Sequence, residues 1–542
     1  MYESKGDYAR AEAYAAAACN VLLMAAERTV PGLSGGQARN WISKHAPRAD
    51  VLLSVLRSSG KLTSPEAYPA IWRTKQLVSR LQVGRDAPKG SSPEMRELFS
   101  KLRNARARLA GLVAATPRAE QADAYRDALT AANAQKEELE KQLAELNPGS
   151  QRELAIRDAT IEALLGQLPE GVAVIDFVKL DDWDYVDRPI ETKRETGHDE
   201  ERTAKDAKAV PVYDAFVLRS DRRPDEATPA FCIPLGPAEP IESALSDWRV
   251  DIAQEQRHEQ SRSTTLRNPA KILRTLIWEK LEAQLEGIHT VVVIPDGELH
   301  RLPWAALPGR RDDEYLLHDY AVLTAASGQQ LYGVLLDPPI TAPSELLVVG
   351  GIDYGQGLGE TSPLRNNESV FWPQLPGAEA EVTSVVKLWG SRGTVKQLGR
   401  READERALAR WLPRVRFAHL ATHGFFDTSG EVYGTNLRDQ PVFNSAIAGS
   451  KRRSSVAFRN PLLMTGIVTA GANRPSEKDD LGLPIGDDGI LTAEEISGLD
   501  MRNTELVTLS ACETGLGDVA AGEGVYGLTR VLHQSGVRSV VA

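Results

Sequence analysis

The pattern of apolar residues changes once along this 542-residue chain, near Leu168. Before that point, apolar residues recur at three- and four-residue spacing among Ala, Glu, Lys and Arg, which predicts amphipathic helices. After it, short apolar runs bounded by Gly and Pro alternate with helical stretches, a pattern typical of α/β architecture with a largely parallel sheet. The chain is also too long for one hydrophobic core. The sequence therefore predicts an all-α region followed by α/β domains.

The first region contains two well-defined helical patterns, over 93–112 and 125–146, and Asn147-Pro148-Gly149 ends the second. Residues 5–12 resemble the start of the second helix of a tetratricopeptide repeat, and an Ala-rich helix is the simpler alternative. We expect residues 1–30 to form a partial repeat-like helix and residues 31–167 a helical linker region.

Two α/β blocks of domain size follow, over 168–344 and 345–542. Strands are predicted over 172–178, 213–218, 230–235, 291–294, 346–349, 417–421, 505–510 and 537–542. Helices are predicted between them over 270–285, 379–389, 403–412 and 524–535.

Composition excludes several classes of function. The net charge of −11 argues against direct binding of nucleic acid, which needs a basic face. No run of about 18 apolar residues is present, and the N-terminus lacks the basic start of a secretory signal, so we expect a cytoplasmic protein without a membrane segment. Three scattered cysteines cannot form a disulfide framework or a structural zinc site. No metal or cofactor is expected.

Two strand ends carry residues suited to nucleophilic catalysis. The run 417–421 leads into His423 and Gly424, and the run 505–510 leads into Cys512. The carboxyl ends of parallel strands lie at one edge of a sheet, so we expect the thiol and the imidazole to lie close together. The imidazole can take the thiol proton, and glycine lets a backbone N–H approach a substrate carbonyl.

Several polar residues also fit structural roles. Cys512 alone could be a buried apolar residue, as we expect for Cys19 and Cys232. His419 and His423 could suggest a metal pair, but no third ligand is evident. The acidic pairs 479–480 and 487–488 fit no calcium loop, which favours a solvated loop.

Six motifs, in order, resemble the CHAT family of caspase-like domains that occur with tetratricopeptide repeats in bacterial proteins. They are Pro295-Asp296-Gly297-Glu298-Leu299 with Leu302-Pro303-Trp304, Leu375-Pro376-Gly377-Ala378-Glu379 before Glu381, His419-Leu420-Ala421-Thr422-His423-Gly424, Asn460-Pro461-Leu462 with Ala470-Gly471-Ala472-Asn473, Gly489-Ile490-Leu491-Thr492-Ala493-Glu494-Glu495, and Leu509-Ser510-Ala511-Cys512-Glu513-Thr514-Gly515.

The resemblance implies two caspase-like halves and assigns residue roles. His423 is the expected catalytic histidine and Cys512 the nucleophile, with Gly424 and the Cys512 N–H in the oxyanion hole. The half over 168–344 would carry no catalytic dyad, as in the related separases. The turn at 295–297 is then expected to be structural, with a part in the site or a domain contact as the alternative.

The chain ends at Ala542 within an apparent strand and begins inside a repeat unit. Family members continue further, so we expect a fragment truncated at its C-terminus, with part of the substrate cleft supplied by the remainder.

The expected function is that of a caspase-like cysteine endopeptidase that cleaves a protein substrate and is regulated by a protein partner through helical repeats. The alternative is a non-catalytic scaffold for protein–protein interaction. Three acidic residues near the site, Asp427, Asp518 and Glu523, could favour a basic residue at the cleavage position; they could equally be solvated loop charges.

Overall fold

A computed structural model describes most of the chain. The described residues are 7–47, 49–62, 67–82, 92–114, 122–146, 151–182, 209–221, 228–256, 268–311, 313–341, 343–355, 371–426, 460–474, 477–478, 484–485, 487–511, 517–520 and 524–542.

The part before Leu168 is helical, as predicted. Its helices are α1 (Tyr8–Thr29), α2 (Gly35–His45), α3 (Ala49–Ser58), α4 (Ala67–Thr74), α5 (Leu77–Leu81), α6 (Pro93–Ala114), α7 (Ala122–Leu146), α8 (Gln151–Arg157) and α9 (Ile161–Gln167). Several begin at a side-chain cap, as the sequence allows: Ser34 and Gln37 form a capping box on α2, and Thr160 caps α9. None of the helices that the structure describes is long and apolar enough to cross a membrane.

A five-stranded sheet follows, in the order β3-β2-β1-β4-β5. Its strands are β1 (Val172–Asp182), β2 (Val210–Arg219), β3 (Phe231–Pro237), β4 (Thr290–Ile294) and β5 (Ala321–Thr324). β1, β4 and β5 run parallel, whereas β1, β2 and β3 run antiparallel. This sheet is therefore mixed. The expectation of a largely parallel sheet is only half correct for it, because apolar runs do not encode strand direction. Its helices are α10 (Ala238–Gln256), α11 (Pro269–Leu273), α12 (Leu316–Asp319) and α13 (Gly328–Leu336).

A second five-stranded sheet, in the order β17-β14-β8-β6-β7, is parallel throughout. Its strands are β6 (Glu345–Ile352), β7 (Thr394–Arg400), β8 (Phe417–Ala421), β14 (Leu506–Ser510) and β17 (Ser539–Val541). Smaller sheets contain β9 (Gly424–Phe426), β10 (Thr465–Val468), β11 (Glu477–Lys478), β12 (Pro484–Ile485), β13 (Ile490–Thr492), β15 (Gly517–Ala520) and β16 (Gly524–Gly527). The helices are α14 (Pro376–Trp389), α15 (Glu405–Trp411), α16 (Ala493–Ile496) and α17 (Leu528–Gln534).

The N-terminal helices complete the cores of both α/β halves. Apolar side chains of α3, α4 and α9 pack on one face of the first sheet, where Leu53 and Leu164 join Phe216 and Val292. Helices α6 and α7 contribute to the core of the second half through residues such as Leu109. Burial of apolar surface therefore joins the helical region to both sheets.

Buried charges reinforce these contacts. Lys75 donates to Asp176 Oδ1 at 2.5 Å and to the Phe177 carbonyl oxygen at 2.8 Å, in the middle of β1. Arg106 and Lys136 contact Glu140 and Glu494, which joins α6 and α7 to α16. Removing one member of such a buried pair typically costs about 3–5 kcal/mol.

Candidate active site

The end of β8 and the end of β14 lie side by side. The two strands are parallel neighbours, and Ala421 pairs with Ser510. His423 follows Ala421 by two residues, and Cys512 follows Ser510 by two residues. Cys512 lies outside the described residues, so its role stays a prediction. The register brings the chain to the same edge of the sheet just before each of the two predicted residues.

The His423 imidazole has a hydrogen bond that fixes its tautomer. Its Nε2 lies 2.7 Å from the carbonyl oxygen of Pro373. A carbonyl oxygen can only accept, so Nε2 carries the hydrogen. Nδ1 is then left with a lone pair and can take a proton. Pro373 offers no side-chain chemistry, and no sequence signal could have identified its carbonyl.

Two aromatic rings flank His423. The ring centroids of Tyr354 and Trp372 lie 5.1 Å and 5.4 Å from the imidazole centroid. The backbone N–H of His423 also hydrogen bonds to the Tyr354 hydroxyl, and burial raises the pKa of that tyrosine. The two rings and the Pro373 carbonyl together restrict the orientation of the imidazole.

Thr422 fixes the end of β8. It is 1% exposed, and its hydroxyl donates to the Val468 carbonyl oxygen at 2.5 Å. Its single hydrogen is thereby used, so the Tyr354 hydroxyl donates to Thr422 Oγ1 at 2.9 Å. The residue before His423 is therefore bound to both neighbouring segments.

Asn473 holds the segment that carries the Pro373 carbonyl. Its Oδ1 accepts from Trp372 N–H at 2.9 Å, and its Nδ2 donates to the carbonyl oxygens of Trp372 at 2.8 Å and Gly355 at 3.1 Å. Its own N–H donates to the Tyr354 carbonyl oxygen at 2.8 Å. The sequence placed Asn473 in a motif without a role. Four hydrogen bonds make it a positioning residue for the wall beside His423.

Gly489 explains why two of the six motifs occur together. Its φ is +85°, and a Cβ there would lie 2.3 Å from the Ala472 backbone nitrogen. Only glycine fits this close approach. The motif over 489–495 therefore packs directly against the motif that ends at Asn473.

Gly424 presents its N–H to the open edge of a small sheet. Val468 N donates to the His423 carbonyl oxygen at 2.9 Å, so the neighbouring pair Gly424 and Ile467 does not exchange hydrogen bonds. The Gly424 N–H consequently points away from β10, and β9 is an edge strand in the described sheet. This direction suits a donor to a substrate oxygen.

His419 has a different environment from His423. Its Nε2 lies 2.8 Å from Glu381 Oε1 on α14, whereas His423 contacts a backbone carbonyl. Among the described residues, no three His, Cys, Asp or Glu side chains are placed to hold a metal ion. The structure gives the two histidines separate partners.

The turn at 295–297 closes as expected and also forms a domain contact. Asp296 accepts from Gly297 N–H at 2.9 Å and from Lys179 N–H at 2.9 Å. The short helix that follows, Gly297–Arg301, contacts β15 and β16 of the second half. The two alternatives for this motif are thus both partly correct.

The two other thiols are buried or partly buried, in line with the prediction that they are packed. Cys19 is 5% exposed, and Cys232 is half-buried against the core between the first sheet and the N-terminal helices. Burial raises the pKa of both thiols. They are poor nucleophiles at neutral pH.

The acidic residues predicted for substrate binding are not placed by the structure. Asp427 and Glu523 lie outside the described residues, as does the side chain of Asp518, whose backbone pairs with Tyr526 between β15 and β16. Their role stays a prediction.

The solvated loop expected at 487–488 is wrong for Asp488. Glu405, which is 8% exposed, hydrogen bonds to Asp488, and Asp488 also accepts from Ile490 N–H at 2.9 Å. Burial and neighbouring carboxylates raise the pKa of Glu405 to about 10 and that of Glu495 to about 8. Residues 479–480 lie outside the described residues.

A family model and two known proteins match parts of this chain. The family model described as the CHAT domain matches residues 267–542. Tetratricopeptide repeat protein 28 of Mus musculus is 25% identical over 259 residues, which cover 46% of this chain and 10% of that protein. The Homo sapiens protein of the same name is 22% identical over 258 residues, covering 46% and 9%. The chain spans about a tenth of the length of these relatives.

Proposed function

The chain belongs to the CHAT domain family, and from that premise we propose that it is a caspase-like cysteine endopeptidase acting on a protein substrate. Cys512 is the nucleophile in this proposal and His423 its base. The observation that carries the proposal is the pairing of Ala421 with Ser510, which sets the two residues equally far beyond adjacent strand ends. Neighbouring strands lie about 4.8 Å apart, within reach of a histidine side chain bridging to the next strand end.

The hydrogen bonding of His423 supports the role of base. With Nε2–H donated to Pro373, Nδ1 accepts the thiol proton and forms a thiolate–imidazolium pair. The thiolate attacks the scissile carbonyl, and the oxyanion that forms is held by the N–H groups of Gly424 and Cys512. The imidazolium then gives its proton to the leaving amine. Water, deprotonated by the same nitrogen, releases the acyl group from sulfur.

Regulation by a protein partner through the helical region is the second part of the proposal. The relatives carry tetratricopeptide repeats in their name, and the helices before Leu168 pack into the core of the catalytic half. A partner that shifts α6 or α7 would act on the second sheet through these contacts. Asp427, Asp518 and Glu523 are proposed to favour a basic residue at the cleavage position.

The alternative is a non-catalytic scaffold, and the first sheet favours it in one respect. The buried pair of Lys75 and Asp176, whose side chains are 7% and 3% exposed, lies in the middle of β1, where Asp176 pairs with the last residue of β4. That part of the first sheet is therefore structural, and the predicted nucleophile follows a strand of the second sheet.

Trapping of the substrate tests the proposal. The Cys512→Ala variant should retain a protein that the unaltered chain releases in two pieces, and adding back unaltered protein should cleave it. Cys232→Ala serves as the matched control and should cleave normally. Cleavage by the Cys512→Ala variant at the unaltered rate contradicts Cys512 as the nucleophile, and the absence of cleavage by the unaltered chain leaves the scaffold.

A further inference from the structure

A large cavity lies where the helical region meets both α/β halves. Its volume is about 670 Å³, and the elements around it are α2, α5, α6, α7 and α8 of the helical region, α13 of the first half, and α16 and α17 of the second. Sites for small molecules usually measure roughly 300–1,000 Å³. The cavity is therefore large enough for a metabolite, and it lies away from His423.

The wall of this cavity is strongly basic, although the chain as a whole is acidic. Seven arginines and one lysine line it, against four carboxylates. Two of the carboxylates, Glu140 and Glu494, are bound to Arg106 and Lys136. The rest of the wall has two carboxylates, Glu153 and Asp337, and the arginines Arg39, Arg80, Arg157, Arg502, Arg530 and Arg538. Two of these arginines, Arg157 and Arg502, are bound to carboxylates outside the wall, those of Asp158 and Asp500.

Two of these arginines contact only backbone oxygens among the described residues. Arg80 donates to the carbonyl oxygens of Arg157, at 3.3 Å, and Arg73. Arg538 donates to the Pro338 carbonyl oxygen. The Nε atom of each is buried without a hydrogen-bond partner in the part of the chain described. Burial also lowers the pKa of Arg80, and the nearby carboxylates of Glu27 and Asp158 only partly offset this effect.

We propose that this cavity binds a small organic phosphate. Guanidinium groups present parallel N–H donors that match phosphate oxygens, and an anion would satisfy the buried Nε atoms of Arg80 and Arg538. Apolar side chains, among them Ile156, Val334 and Pro339, line part of the same wall. They would contact an organic body attached to the phosphate.

The position of the cavity gives such a ligand a route to the catalytic half. Arg530 lies on α17, which follows β16 directly, and the β15–β16 hairpin follows Cys512 in the chain. Arg530 also donates to Ser79 of the helical region. A phosphate bound between Arg80 and Arg538 would therefore join α5 to the segment between α17 and β17.

Calorimetric titration of the full chain tests the proposal, with adenosine triphosphate, pyrophosphate and inorganic phosphate as probes and citrate as an anion without phosphate. Adenosine triphosphate should bind at least tenfold more tightly than citrate. The double variant Arg80→Gln with Arg538→Gln should weaken this binding at least tenfold. Arg311→Gln, which changes an arginine with a 78% exposed side chain outside the cavity, should leave it unchanged.

Thermal melting of each variant separates loss of binding from loss of folding. If the double glutamine variant melts at a lower temperature than the unaltered chain, Arg80→Lys with Arg538→Lys replaces it. Lysine keeps the positive charge at both positions but lacks the planar guanidinium group, so binding should weaken at least threefold. Three results would overturn the proposal: no phosphate probe binds, citrate binds as tightly as adenosine triphosphate, or the folded double variant binds like the unaltered chain.

Discussion

His423 donates from Nε2 to the carbonyl oxygen of Pro373 across 2.7 Å, and this single contact decides which nitrogen can act as a base. It links the end of β8 to a segment 50 residues earlier in the chain. Because the acceptor is a backbone atom, its position depends on what holds residues 371–373. Asn473 holds this segment through its hydrogen bonds to Trp372.

Asn473→Ala should slow the reaction of Cys512 without unfolding the chain. The change removes the three side-chain hydrogen bonds that hold Trp372 and Gly355, so the Pro373 carbonyl and the imidazole lose their fixed geometry. We expect the rate of alkylation of Cys512, followed by mass spectrometry, to fall about tenfold, as is typical when a positioning group is lost.

Asn20→Ala is the matched control, since it removes a single hydrogen bond to Arg73 at the surface. Its alkylation rate should equal that of the unaltered chain. Equal rates for both asparagine variants would mean that Asn473 has no positioning role.

Glu405→Gln should stabilise the chain in mildly alkaline solution. Glu405 has its pKa raised to about 10, so it stays protonated in the folded state while it ionises in the unfolded state above its ordinary value of 4.5. The unfolded state then binds fewer protons, and stability falls as pH rises through this window, by up to about 1.4 kcal/mol per pH unit.

Glutamine at position 405 can form the same hydrogen bonds as the protonated carboxyl group of Glu405. Its oxygen accepts from Gly489 and Ile490 N–H groups, and its amide donates to Asp488. Denaturant unfolding at pH 5 and pH 8.5 should show little difference at the lower pH and a gain for the variant at the higher. A uniform loss at both values would show that Glu405 is ionised in the fold.

Glu494→Ala should destabilise the chain by about 3–5 kcal/mol, because it leaves Arg106 and Lys136 buried without one of their two carboxylates. Burial alone would raise the pKa of Glu494, but Lys136 and Arg106 lower it below its ordinary value. The stability it contributes is therefore present above pH 4.5 and lost as pH falls through the folded-state pKa.

Glu97→Ala supplies the comparison, since its ion pair with Lys101 lies on an exposed face, with side chains 67% and 58% exposed. Solvent screens such an exposed pair, so its loss should change the free energy of unfolding little. Urea unfolding monitored by circular dichroism gives both values, and a Glu494→Ala loss no larger than that of Glu97→Ala would contradict the role of the buried network.

Helices and strands could be predicted from the sequence where the spacing of apolar residues followed a single clear periodicity. The strand at 417–421 was predicted with its observed bounds, and α6 and α7 differ from prediction by three residues or fewer at each end. β5, β7, β10 and β13 were missed because short or polar runs carry no clear period. The helix expected over 524–535 begins only at Leu528, since residues before it pair with β15.

The residues of the site also differ in whether the sequence alone could identify them. His423 and Gly424 could be found because they follow an apolar strand within a recognisable motif. Pro373 could not, since its contribution is a backbone oxygen, and the roles of Tyr354 and Asn473 depend on contacts between segments about 120 residues apart, such as the 118 between Asn473 and Gly355.

The pH dependence of Cys512 alkylation shows whether Cys512 and His423 form a catalytic pair. Iodoacetamide should label Cys512 with an inflection at least one unit below the ordinary thiol value of about 8.5, while Cys19 and Cys232 label slowly throughout. In the His423→Gln variant the inflection should return to about 8.5. An unchanged profile in that variant would show that His423 does not act on Cys512.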